Sequence, residues 1–157
     1  MPVTSKVARP LLASMFVAGG LDAAKHPESK APQAEKVAPP LAHAMHLPED
    51  PVTLVRINGV VQVAAGALLA AGRLPRASSA VLAASLVPTT LAGHRFWEEE
   101  DTTTRAVQRM SFMKNLAMLG GLLLAATDTE GRPSIGWRAR KAAQRASKKT
   151  VEVLPGH

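Results

Sequence analysis

The chain has 157 residues, a net charge of +7, 46% apolar residues, 3% aromatic residues and no cysteine. That length suits one domain, and the missing cysteine excludes a disulfide, a thiol nucleophile and a cysteine metal site. The positive charge gathers at the C-terminus, and five aromatic residues in the whole chain do not make base-stacking platforms, which points away from nucleic acid and toward an anionic lipid surface.

The apolar mass is Ala, Leu, Val and Gly, with three Phe, two Trp and no Tyr. A soluble core usually leans on aromatics for buried area, whereas membrane helices pack through small residues. A soluble Ala-rich bundle is the competing reading. The mean hydropathy of +0.05 is held down by long polar connections and a basic tail.

Four apolar segments follow in chain order, at about 7–24, 52–72, 77–93 and 110–127. A spanning helix needs roughly 20 residues, with a range of about 17 to 25, so all four are short spans. Lys6 and Arg9 ahead of the first segment resemble a signal peptide. Against cleavage, the run ends in Gly19-Gly20-Leu21-Asp22 without a small-x-small site. The connection 26–51 carries Pro27, Pro32, Pro39, Pro40, Pro48 and Pro51 and is expected to be irregular or only partly helical. Arg73-Leu74-Pro75-Arg76 reads as a tight turn. His94 to Arg109 reads as a connection with the acidic run Glu98 to Asp101. After a break at Asp128 to Pro133 comes a basic segment, Ser134 to Lys149, with Trp137 as an interface anchor. The expected architecture is all-α: a four-helix transmembrane bundle over 1–132, followed by a basic amphipathic tail over 133–157.

Four spans put both termini on one side. That side would hold Lys6, Arg9, Arg73, Arg76 and the tail's Arg132, Arg138, Arg140, Lys141, Arg145, Lys148 and Lys149. The Lys/Arg excess makes this side cytoplasmic, so the remaining polar groups fall at the outer ends of the spans. Asp22 and His26 are four apart and share a helix face, as do Asn58 and Gln62. Thr90, His94 and Glu98 form a further row if the third helix continues that far. Lys114 lies a turn inside the fourth segment beside Asn115, and intramembrane charges usually pair, so Lys114 is expected to meet Asp22 or Glu98. The pocket candidates are Asp22, His26, Asn58, Gln62, Thr90, His94, Trp97, Glu98, Lys114 and Asn115. A set of snorkelling groups and interhelical hydrogen bonds is the alternative for the same residues. His43 and His46 read as solvated loop residues rather than metal ligands, and no catalytic residue or metal site is expected. Gly19-Gly20, Gly66 and Gly120-Gly121 read as close-packing positions. No P-loop, dinucleotide fingerprint, zinc-protease motif or catalytic triad is present.

Arg9-Pro10-Leu11-Leu12 with Phe16 to Pro27 resembles the opening helix of the DoxX family. Asn58-Gly59 with Gln62 and Gly66, Gly93-His94-Arg95-Phe96-Trp97-Glu98, and Lys114-Asn115-Leu116 with Gly120-Gly121 extend the likeness over about 7–140. The resemblance implies a four-helix bacterial inner-membrane protein. Some members of the family are associated with oxidoreductase complexes in thiol homeostasis and oxidative stress, and a related subunit belongs to a thiosulfate:quinone oxidoreductase. The lack of cysteine rules out a direct thiol role for this chain. Three functions are open at this point. The first is an accessory or scaffold subunit that recruits a soluble oxidoreductase, non-catalytic on its own. The second is a subunit that binds quinone or another small molecule, and the third is a small transporter acting as a homo-oligomer.

Overall fold

A computed structural model describes residues 3–35, 37, 40, 42–43, 46, 48–128, 141 and 144. Apart from Lys141 and Gln144, the basic tail, with Trp137, lies outside the described residues. Helix α1 is Val3–Lys25, a 3-10 turn covers Pro27–Ser29, and α2 is the single turn Ala31–Ala34. Helix α3 is Pro51–Ala70, α4 is Pro75–Gly93, a second 3-10 turn is Phe96–Glu98, and α5 is Thr102–Thr127. Among the described residues there is no strand, so the expected all-α bundle is what forms.

The starts of the helices follow local chemistry. Asp50 caps α3, its carboxylate accepting from the Thr53 amide at 2.8 Å, with Pro51 in the first turn, where proline lacks only a donor that would go unused. Asp101 does the same for α5 through the Thr104 amide at 2.6 Å. The α5 helix therefore begins eight residues before Met110. The Asp101-Thr102 signal lay in what reads as a polar connection, and a helix needs no apolar face where it stands clear of the bundle.

The turn after α3 is tight, as expected. Gly72 has φ 67°, its amide donates to Leu69 O at 3.0 Å, and the Arg73 amide donates to Leu68 O at 2.8 Å. This paired closure satisfies two end carbonyls and needs a left-handed residue, which glycine supplies. Pro75 then opens α4.

Helices α1, α3 and α5 are long and apolar enough to cross a membrane. Helix α4 has 19 residues, a comparable length, but carries Ser78, Ser79, Ser85, Pro88, Thr89 and Thr90. Its polarity turns inward: Ser78, Ser79, Ser85 and Thr90 are all buried, beside Leu82, Ala83 and Leu86. The helices neighbour one another in the order α1, α3, α4, α5, and α1 and α5 meet at only a few points. The core joins Ala13 and Phe16 of α1, Ala65 and Leu69 of α3, Leu82, Ala83 and Leu86 of α4, and Leu122 of α5. Large apolar side chains also cover the outside: Leu11 is 67% exposed, Met110 72% and Leu124 74%. A bilayer solvates such a surface at no cost, whereas water does not.

The α1–α3 seam is the closest contact between helices. A Cβ on Gly59 would lie 2.7 Å from both Gly20 O and Ala24 N, and a Cβ on Gly20 would lie 2.7 Å from Gly59 O. A Cβ on Gly66 would meet Val17 Cγ2 at 2.9 Å. Gly20 and Gly66 are thus close-packing positions, as expected. Gly19 and Gly120 are not, because a Cβ there would have nothing within 4 Å. Gly121 sits at ordinary contact distance from Leu12.

Candidate functional site

The ten candidate residues lie toward one end of the bundle, where some join helices in separate pairs and the others make local contacts or none. Asn58 Nδ2 of α3 donates to Thr89 Oγ1 of α4 at 3.1 Å, and Gln62 Nε2 approaches the same oxygen at 3.5 Å. The Thr89 hydroxyl donates onward to Ser85 O at 2.8 Å. Asn115 Nδ2 of α5 donates to Thr90 Oγ1 at 3.1 Å, and Thr90 donates to Leu86 O at 2.7 Å. Gln62, Thr90 and Asn115 are buried, so the Asn115–Thr90 bond forms in a low dielectric, where an unmade one would be costly, while the Asn58–Thr89 bond is exposed. Two adjacent threonines on α4 therefore fasten it on both sides, to α3 through Thr89 and to α5 through Thr90.

His94 lies just past the end of α4, and its Nδ1 is hydrogen-bonded to Gln108 Oε1 of α5 at 2.8 Å. Helix α4 stops at Gly93, so the row Thr90, His94, Glu98 does not form. Glu98 is in the 3-10 turn and accepts from Arg95 NH1 at 3.1 Å. Trp97, 51% exposed, meets Phe96 and Phe112 edge to face at 5.1 and 6.0 Å between centroids.

Asp22 does not meet Lys114. Its carboxylate binds Lys30 Nζ at 2.6 Å and His26 Nδ1 at 3.3 Å. The turn Pro27–Ser29 brings Lys30 back over the end of α1, a partner that helical spacing alone could not reveal. Glu28 and Arg56 pair at 3.5 Å beside it. Lys114 is exposed on α5, and the two carboxylates expected to neutralise it are committed elsewhere. No group of three His, Asp or Glu side chains suited to a metal occurs among the described residues.

A cleft of about 110 Å³ between α4 and α5 is lined by Leu86, Val87, Thr90, Leu91, Phe112, Asn115, Leu116 and Leu119. Two candidates, Thr90 and Asn115, reach it. The cleft is almost wholly apolar because their polar atoms face each other.

The opposite end holds a second cluster that the sequence reading missed. Arg9, buried within α1, lies 3.7 Å from Asp128 at the end of α5. Arg76 Nε donates to Ala126 O at 3.0 Å. The arginines meet the negative end of α5. The one sequence signal was Arg9 within an apolar run, which reads equally well as a flanking charge.

Outside the spans, two carboxylates have pKa values held below the ordinary 3.8. Asp50 is held down by the Thr53 hydroxyl and then the Thr53 amide. Asp101 is held down by the Thr104 amide and then its side chain.

An all-α bundle with an apolar exterior and paired polar groups inside defines a multi-helix membrane protein. The DoxX family model matches residues 5–95, more than half of the chain, and the chain belongs to the DoxX family. The match covers α1 through α4 and ends at Arg95, so α5 with Lys114-Asn115-Leu116 lies beyond it. No curated protein and no solved structure matches the chain.

Proposed function

We propose that this chain is an accessory, non-catalytic subunit of a membrane-associated redox system in a bacterial inner membrane. Both termini face the cytoplasm, the membrane domain spans 1–132, and the basic segment 133–157 recruits a soluble oxidoreductase. The observation that carries this reading is the use of the polar residues. Asn58, Gln62, Thr89, Thr90, Asn115, His94 and Gln108 are matched to one another across helices. Groups used in this way hold a bundle together and are not free to bind a substrate. The Lys/Arg excess on the N- and C-terminal side supports the orientation.

The test is co-purification in mild detergent of the full chain, of a chain lacking 133–157, and of the double variant His94→Ala/Lys114→Met. An accessory subunit loses its soluble partner on tail deletion and keeps it in the double variant. The reverse pattern would favour a quinone- or small-molecule-binding subunit. The specific observation behind that second reading is that Thr90 and Asn115 line the α4–α5 cleft.

A further inference from the structure

Every long helix carries an apolar exterior, and on each one the uncharged stretch is short. On α1 the lipid-facing surface is uncharged from Lys6 to Asp22, because Arg9 between them is buried against Asp128, and this stretch is about 24 Å at roughly 1.5 Å per residue. On α3 it runs from Arg56 to the helix end at Ala70, about 21 Å by the same rise. On α4 it runs from Arg76 to Gly93, about 26 Å. On α5 it runs from Lys114 to Asp128, about 21 Å. The hydrocarbon core of a typical bilayer is about 30 Å thick. All four stretches fall short in the same direction, and any tilt shortens them further along the membrane normal.

Snorkelling narrows the gap without closing it. Lys6, Arg56 and Lys114 can each extend several ångströms of methylene stem along the apolar surface. Asp22 and Asp128 have short side chains and are held in place, by Lys30 at 2.6 Å and by Arg9 at 3.7 Å. The aromatic group marks the same level at the Asp22 end. Trp97 stacks edge-on against Phe112, two residues from Lys114, so the interface on α5 lies well inside the start of that helix at Thr102.

We propose that this bundle is built for a thin bilayer, and that its lipid-facing belt selects phospholipids with short acyl chains. The inference rests on the helices being membrane spans and not on the accessory role, so either can fail alone. A full-length chain would deform a thicker bilayer around itself, or gather short-chain lipids from a mixture.

Trp97 can report this once Trp137 is replaced by Phe. The purified full chain is reconstituted in phosphatidylcholine mixtures containing brominated lipids of about 14, 18 and 22 carbons, which bracket the ordinary thickness. Quenching of Trp97 gives the relative affinity for each chain length. Mismatch costs a fraction of a kcal/mol per ångström, so the shortest lipid is expected to bind at least about two-fold more strongly than the 18-carbon lipid. Lys114→Leu moves the outer charge on α5 to Arg109, about 7.5 Å further out, and is expected to shift the preference toward longer chains. Equal affinity across the series, or an optimum at 18 carbons or longer, overturns the proposal. A short-chain optimum that Lys114→Leu leaves unmoved overturns the assignment of the belt to these charges.

Discussion

The α1–α3 seam makes a quantitative demand on two glycines and none on two others. In Gly59→Ala the new methyl would sit 2.7 Å from two backbone atoms, Gly20 O and Ala24 N, and 3.1 Å from Ala23 Cβ. Backbone cannot rotate aside as a side chain can, so α1 and α3 must part by several tenths of an ångström. Overpacking of this kind costs about 1–3 kcal/mol, and separation also loosens the nearby Gly66–Val17 contact. Against that, alanine gains up to about 1 kcal/mol over glycine within a helix. With the full helix gain, the net expectation for Gly59→Ala is a loss of about 0–2 kcal/mol, which is about 1–3 kcal/mol below a glycine-to-alanine change that meets nothing. Gly19→Ala and Gly120→Ala receive only the helix gain, because nothing lies within 4 Å of either methyl. The assay is reversible unfolding in mixed micelles, following helicity against denaturing detergent for all three variants. Gly59→Ala as stable as Gly19→Ala would refute the seam.

Other predictions follow the same contacts. Asn115→Leu removes the α5–α4 hydrogen bond to Thr90 and is expected to cost about 0.6–2 kcal/mol in the same unfolding assay, the range for interhelical bonds in membranes. Leu74 has φ 51° and caps α4 without a side-chain bond. Leu74→Asn, a residue that tolerates this backbone and caps well, is expected to gain about 0.5–1 kcal/mol. Asp50 and Asp101 have folded-state pKa values below 3.8, so each stabilises the fold above that pH and loses its contribution as pH falls through the depressed value. Thermal stability is therefore expected to drop below pH 3.8, and Asp50→Asn/Asp101→Asn to flatten that drop.

The fold was largely legible because the four apolar runs are separated by proline, glycine and charge, which no other arrangement of helices explains as simply. Helix starts at Asp50 and Asp101 were also written in the chain. The second was obscured because Thr102 to Arg109 lacks the apolar periodicity by which helices are recognised. The site was legible as a location more than as a set of contacts. Spacing of four predicts Asp22 beside His26 and Asn58 beside Gln62, and both pairs share a face. It cannot predict Lys30 on Asp22, since that contact depends on how the chain turns at Pro27. Nor can it show that Asn115 meets Thr90, which requires knowing that α5 lies against α4. The Lys114–Asp22 pairing failed for the same reason, since α1 and α5 scarcely touch, whereas Glu98 lies in a turn that does pack against α5 but is paired with Arg95.

The central claim is that the polar residues at the Asp22 end fasten helices to one another. Native mass spectrometry of the detergent-purified chain, with an optical spectrum of the same sample, tests it most directly. The bare chain mass, without a chromophore, is the expected result. A stoichiometric bound mass that disappears in Thr90→Val/Asn115→Leu would contradict the account and make the α4–α5 cleft a binding site.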